Sequence, residues 1–222
     1  MDITIDADIF FNRLDAIKSH WLAHKEDIWG GADALCIPMG SVKEQDVVYS
    51  KSSSLHLYLL GYEFPDSLIV ITPDRLYFMA TQKKIAYIET LKDENKFPIV
   101  TLVKSKDEAA NRENFKVIIN DIKGHGGKQL GTLLRGDFDG RFVPSWNDAV
   151  QSDLLDTVDI SRGLGYILSI KDAAEQVFTD YGRFSHACLL QIAWSYPLCS
   201  QEICKRAAVL TKKVYHTLRY VN

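Results

Sequence analysis

The arrangement of apolar and polar positions along this chain predicts helices in some segments and strands in others. An apolar stripe with spacings of four, three and four residues runs through residues 6–24. It consists of Phe10, Leu14, Ile17 and Trp21. The positions between them are polar or charged, which is the pattern of an amphipathic helix. This segment is therefore predicted to be a helix that lies across a sheet.

Short runs rich in β-branched and aromatic residues predict the strands. The runs at 67–72 and 75–80 are joined by the turn residues Pro73-Asp74, which predicts a hairpin. Runs such as SLIVIT and IVTLV are apolar throughout and are predicted to be strands buried on both faces. Further strands are predicted at 32–38, at 47–50 as its partner, and at 98–104, 129–134 and 157–161.

Helical patterns separate these strands. Ser53 or Ser54 is predicted to cap a short helix that Gly61 ends. Further helices are predicted over residues 81–91, 107–123 and 142–151. Strands that alternate with helices predict an α/β fold in which a mixed β-sheet is flanked by helices.

Composition and charge narrow the classes of function. The 222 residues, of which 46% are apolar, suffice for one α/β core and the beginning of a second domain. A net charge of −3 argues against a surface that wraps DNA, because phosphate binding relies on clustered Lys and Arg. Any DNA contact is therefore expected to be indirect. Apolar runs fall far short of the roughly 20 residues of a membrane helix, so no membrane contact is predicted.

The first residues of the sequence and the spacing of the cysteines bear on targeting and on redox state. The first residues have neither a basic segment nor an apolar stretch of the kind found in secretory signals. The four cysteines are unevenly spaced and form no CxxC pair. Reduced thiols in a cytosolic or nuclear protein are predicted.

Several short motifs suggest chemistry, but each has a simpler structural interpretation. His20 and His24 have the spacing of a helical metal pair, yet no Glu follows His20, and both are predicted to flank the apolar stripe in water. The glycine-rich residues 124–129 lack the GK[ST] ending of a phosphate loop and precede a strand, so a turn is predicted. The serines at 52–54 lie near His56, but helix capping is favoured over a nucleophile.

A zinc site is the remaining possibility for metal binding. Its imagined ligands are His186, Cys188, Cys199 and Cys204. Their spacing fits no usual zinc pattern, so coincidence is favoured. No catalytic residue, metal ligand or cofactor site is predicted.

Two neighbouring segments carry a resemblance to a known family. Residues 49–72 and 75–84 contain, in order, a Lys-Ser pair, an LxGYEFPD-like turn, a hydrophobic strand, and a strand that ends before a basic helix. Later landmarks are SWND at 145–148, VDIS at 158–161, and Lys171-Asp172. Together they resemble the N-terminal lobe of the large subunit of the FACT histone chaperone. The match covers roughly residues 5–176.

The resemblance implies a fold and an absence of catalysis. The lobe of that family is similar to the N-terminal domain of creatinase and aminopeptidase P enzymes, and a pita-bread lobe follows it. Residues 1–170 are therefore expected to form this lobe and 171–222 to begin the pita-bread lobe. In the true peptidases the metal ligands belong to the second lobe, so no enzyme activity is expected here. The alternatives are the N-terminal lobe of a metal-dependent aminopeptidase P or creatinase-like hydrolase, and a truncated product without a function of its own.

The resemblance also implies partners and location. It implies a nuclear, chromosomal histone chaperone that binds core histones and reorganises nucleosomes in transcription, replication and repair. A small HMG-type FACT subunit is expected to bind through regions outside this chain. A histone-contact loop is predicted at Tyr62, Glu63, Phe64 and Asp66, because carboxylates beside aromatics suit a Lys/Arg-rich peptide. The simpler interpretation is a structural turn in which Phe64 packs inward.

Residues 177–201 depart from the family pattern. This segment of 25 residues contains only two charged residues, and its many aromatic residues follow no steady period. Its removal places Ala174 four positions before Ile203 and restores an amphipathic stripe through Ala207, Leu210, Val214 and Leu218. We hypothesise an intron retained in frame, with a lineage-specific insertion as the alternative.

Overall fold

A computed structural model describes residues 4–41, 50–136, 138–172 and 176. The chain divides into two compact units, Met1–Leu168 and Ser169–Asn222, and the fold described below is that of the first. Residues 47–49 of the predicted strand, the segment 177–201 and the imagined zinc ligands lie outside the described residues. The origin of that segment and the domain limit near residue 170 stay predictions.

Twelve helices and strands follow one another in the described part of the chain. In order they are α1 (Ala7–Ala23), β1 (Ala34–Met39), α2 (Lys51–Leu60), β2 (Ser67–Ile71), β3 (Leu76–Ala80), α3 (Gln82–Glu89), β4 (Ile99–Val103), α4 (Glu108–Gly124), β5 (Gln129–Thr132), α5 (Phe142–Ser152), β6 (Asp156–Asp159) and α6 (Ser161–Ser169).

The six strands form one mixed sheet in the order β4-β3-β2-β1-β5-β6. β2 runs antiparallel to both of its neighbours, β1 and β3. The pairs β3–β4, β1–β5 and β5–β6 are parallel. The predicted fold class, a mixed β-sheet flanked by helices, is confirmed.

Each face of the sheet carries its own apolar layer. On one face, the buried stripe of α1 packs with residues of α2, α3 and α6 against Leu35, Ile69 and Phe78. On the other face, α4 and α5 cover Cys36, Val70 and Met79. Aromatic rings bring these last two helices together, since Phe115 and Trp146 pack edge to face at 5.3 Å.

The predictions from periodicity hold at α1 and at the hairpin. The buried residues of α1 are the four residues of the predicted stripe, and the Asp6 side chain caps the helix by accepting a hydrogen bond from Ile9 N at 3.0 Å. β2 and β3 pair in antiparallel register with Leu68 opposite Met79.

Two predictions are wrong in part. β4 is not buried on both faces, because it lies at the edge of the sheet, where Val103 is 44% exposed. The cap of α2 is neither Ser53 nor Ser54. Its N-cap is Ser50, which accepts a hydrogen bond from Ser53 N at 3.0 Å, and Ser53 and Ser54 lie in the first turn. The predicted end of this helix at Gly61 is confirmed.

Candidate binding surface around residues 62–66

The loop that contains the predicted contact residues begins where α2 ends. Gly61 has a φ of 72°, a left-handed conformation that glycine adopts without strain and that turns the chain out of the helix. Phe64 is only 2% exposed, and its ring packs edge to face with Phe78 at 5.9 Å. Phe64 therefore belongs to the core and offers no ring face to a partner.

Asp66 fixes the end of this loop that enters β2. Its φ of 53° lies in the left-handed region, which non-glycine residues occupy only when the surrounding contacts hold them there. Asp66 N donates to Gly40 O at 3.0 Å, and its Oδ1 accepts from Ser41 Oγ at 2.9 Å. Its Oδ2 lies 3.5 Å from Lys104 Nζ. Contacts from the carboxyl ends of β1 and β4 thus hold the loop in one conformation.

Two basic side chains hold the middle of the loop. His56 Nδ1 accepts a hydrogen bond from Phe64 N at 3.4 Å, and Lys84 Nζ donates to Pro65 O. Burial of the imidazole, assisted by the charge of Lys84, lowers the pKa of His56 to about 3. His56 is therefore neutral at neutral pH and acts as a hydrogen-bond acceptor for the loop.

The four predicted contact residues thus differ in what they present to a partner. Glu63 is exposed, whereas Tyr62 is half-buried against the core. Asp66 is half-buried and engaged by Lys104, and Phe64 is inside. Contact with histones stays a prediction, and Glu63 is the loop carboxylate with an exposed side chain.

Two lysines beside this loop have structural roles. The side chain of Lys104 is only 20% exposed, and its Nζ lies 4.7 Å from the centre of the Phe142 ring as well as near Asp66. Lys84 likewise binds the loop. Nothing in the local sequence signals these contacts, because the partners are far apart in the chain.

Of the two histidines predicted to lie in water, His24 does so and His20 does not. His24 is exposed and lies 3.3 Å from Asp27. His20 is half-buried, its Nδ1 accepts from Trp29 Nε1 at 3.0 Å, and its ring stacks on Tyr166 at 4.3 Å. In the ranges that the structure describes, no group of three or more His, Cys, Asp or Glu is placed to hold a metal ion.

The remaining motifs have structural roles. Residues 124–129 form the turn between α4 and β5, as predicted, with Gly126 at a φ of 74° and His125 Nε2 at 2.6 Å from Asp74. Ser52 is buried, and its hydroxyl donates to Pro38 O. Cys36 is a buried free thiol, and burial raises its pKa. None of the described helices combines the length and apolar content that a membrane crossing demands.

Residues 5–163 match the family model described as the FACT complex subunit SPT16 N-terminal lobe domain. This chain belongs to that family. The resemblance found in the sequence is thereby confirmed. The loop at 62–66 lies within the matched lobe.

Relatives of known name support the same assignment. The chain is 36% identical over 180 residues to FACT complex subunit SPT16 of Gibberella zeae, which covers 78% of this chain and 17% of that protein. It is 33% identical over 181 residues to the Arabidopsis thaliana subunit, with 78% and 17% covered. The chain thus spans less than a fifth of the length of these curated relatives.

Solved structures agree with the fold. The N-terminal domain of SPT16 from Eremothecium gossypii matches with a TM-score of 0.74 at 28% identity, covering 86% of this chain and 44% of that one. The chickpea domain gives 0.77 at 24% identity, with 95% and 47% covered. A prolidase from Pyrococcus horikoshii gives 0.55 at 12% identity, with 90% and 48% covered, which shows a shared fold alone.

The conformation of Asp66 predicts a graded response to substitution in this SPT16 lobe. Asp66→Ala is expected to lower the free energy of unfolding by about 2 kcal/mol, because it loses the contacts to Ser41 and Lys104 and keeps a left-handed φ. Asp66→Asn is expected to cost only about 1 kcal/mol, since Asn tolerates that φ and still accepts from Ser41. Urea denaturation measures both. An alanine variant as stable as the unmodified chain would show that the contacts at Asp66 contribute nothing.

Proposed function

We propose that this lobe is a non-catalytic histone-binding module of the FACT large subunit, acting on chromosomes in the nucleus. The observation that supports this best is the family match over residues 5–163. The parent protein reorganises nucleosomes during transcription, replication and DNA repair. A small HMG-type subunit binds it through regions outside this chain.

The proposed mechanism is competition for histone surfaces that otherwise hold DNA. Glu63 supplies an exposed carboxylate on a loop whose backbone is fixed by Gly40, His56 and Lys84. A preorganised carboxylate attracts Lys and Arg side chains without the entropic cost of ordering a flexible loop. The half-buried ring of Tyr62 lies beside it and accommodates the aliphatic part of such a side chain. DNA contact is indirect.

A second candidate function is that of the N-terminal lobe of a metal-dependent aminopeptidase P or creatinase-like hydrolase. The fold shared with the prolidase favours it. Under this candidate the metal ligands come from a following lobe, and cleavage of Xaa-Pro peptides requires them. Histone binding is not expected of such an enzyme, which separates the two candidates.

Charge reversal at Glu63 tests the role of the loop. Titration of the full chain against labelled core histones is expected to show about fivefold weaker binding for Glu63→Lys, the effect of about 1 kcal/mol from an exposed charge pair. The matched control is Glu94→Lys, which reverses an exposed glutamate before the amino end of β4, at the opposite end of the sheet from the loop. We expect the control to leave the affinity within about twofold.

Two results would contradict this proposal in different ways. No measurable binding of core histones by the unmodified chain would overturn histone recognition by this lobe. Equal losses at residues 63 and 94 would retain histone binding but overturn the assignment of the contact to the loop.

A further inference from the structure

Within the described part of the chain, the outer edge of β4 has unpaired backbone groups. β4 is the last strand of the sheet and pairs with β3. Pro98 O accepts from Leu76 N at 2.9 Å, and Lys104 N donates to Ala80 O at 2.7 Å, so the even-numbered residues turn their backbone groups toward β3. Because successive residues of a strand alternate, the groups of Ile99, Thr101 and Val103 face outward.

The side chain of Asn114 reaches one of these outward groups. Val103 O accepts from Asn114 Nδ2 at 2.9 Å. Among the residues that the structure describes, the backbone N–H and C=O of Ile99 and Thr101 have no hydrogen-bond partner. A strand edge in this condition is a template for pairing with another strand.

The sequence of β4 is complementary to itself in antiparallel register. When Thr101 lies opposite Thr101 of a second copy, Ile99 comes opposite Val103, and both are outward hydrogen-bonding positions. On the other face, Val100 comes opposite Leu102, and both side chains are only partly buried by α4. Every cross-strand pair in this register joins apolar to apolar or Thr to Thr, which are favourable pairs.

The charged residues Glu89 and Lys92, which lie beside Thr101, also suit a two-fold axis at Thr101. Within one copy, Lys92 Nζ donates to Glu89 Oε1 at 2.8 Å and to Thr101 Oγ1 at 2.9 Å, and Glu89 accepts a hydrogen bond from Thr101 Oγ1. α3 starts at the carboxyl end of β3 and returns toward the amino end of β4, so Lys92 lies nearer than Glu89 to that amino end. A two-fold axis at Thr101 reverses the strand direction and therefore brings Glu89 of one copy beside Lys92 of the other.

We propose that β4 pairs with β4 of a second copy of this chain, so that one continuous antiparallel junction joins the two sheets. The occupant is a second copy because the register, the apolar pairs and the Glu89–Lys92 arrangement are all self-complementary. This inference is independent of histone binding.

Sedimentation velocity of the full chain over a wide concentration range tests the pairing. The apparent mass is expected to rise from 25.2 kDa toward twice that value. Thr101→Pro is expected to abolish the rise, because it removes an outward N–H while leaving the β3–β4 hydrogen bonds intact. The control Thr101→Ala keeps that N–H and is expected to associate still. Circular dichroism checks that both variants are folded.

A charge-exchange cycle provides a second test of the pairing if the proline variant fails to fold. Glu89→Lys and Lys92→Glu are each expected to weaken self-association about fivefold, and the double exchange to restore it within about twofold. A wild-type mass that stays at 25.2 kDa at all concentrations would overturn the proposal. So would a double exchange that does not restore association, or a monomer whose β4 edge captures a histone-tail peptide instead.

Discussion

Replacement of Gly163 by alanine is expected to lower the free energy of unfolding of the lobe by about 2–3 kcal/mol. A Cβ at this position of α6 would lie 2.4 Å from Cδ2 and 2.5 Å from Cε2 of Trp29, far closer than carbon atoms approach. Trp29 is fully buried, and its indole N–H is bound to His20. The ring therefore cannot move aside without losing a hydrogen bond and disturbing the core.

Gly165, two residues later in the same helix, provides the matched control. A Cβ there has nothing within 4 Å. Gly165→Ala is therefore expected to raise stability by up to about 1 kcal/mol, because alanine favours the helix over the unfolded chain. Urea denaturation followed by tryptophan fluorescence measures both variants. Equal responses of the two would contradict the packing of α6 on Trp29.

The stability of the lobe is expected to fall steeply between about pH 6.5 and pH 3 through His56. Burial, with a smaller effect from Lys84, lowers the pKa of His56 to about 3, whereas the unfolded chain keeps the ordinary value near 6.5. Between these values the unfolded state binds a proton that the folded state does not. Full stability is therefore present above pH 6.5, and acid removes on the order of 4 kcal/mol of it.

His56→Gln isolates this effect. Glutamine does not titrate, and its amide oxygen can replace Nδ1 as the acceptor for Phe64 N. We expect the variant to lose most of the His56 contribution to acid destabilisation, measured by urea denaturation at several pH values. His24→Gln, at an exposed histidine outside the loop, is the matched control for the substitution itself. A His56→Gln variant with unchanged pH dependence would contradict burial of a neutral imidazole.

Local periodicity predicted the elements that are stabilised mainly by their own pattern. The stripe of α1 and the hairpin of β2 and β3 were predicted correctly, because amphipathic spacing and turn residues report directly on helix faces and strand pairs. The resemblance then supplied the fold, which the family match confirms.

Such local patterns do not predict the order of strands in the sheet. The apolar run IVTLV is compatible with a central strand, yet β4 lies at the edge, because strand order depends on contacts between distant segments.

Ser50 was missed as the N-cap of α2 because three serines follow it closely. The N-cap is the residue whose backbone is still extended just before the helix begins, and composition does not identify that residue.

Long-range contacts also decide the candidate site. The sequence places Tyr62, Glu63, Phe64 and Asp66 together, but it does not show that Phe64 points into the core or that Lys104 reaches Asp66. The hydrogen bond between His20 and Trp29 is equally invisible in the spacing of His20 and His24. These contacts form only when α1, α2, β1 and β4 are assembled around the sheet.

The central proposal is that this lobe binds histones without acting as a peptidase. The most direct measurement is a pull-down of core histones by the full chain at moderate salt, beside an Xaa-Pro peptidase assay with added divalent metal. We expect core histones to be retained and no peptide to be cleaved. Metal-dependent cleavage without retention of histones would contradict the proposal.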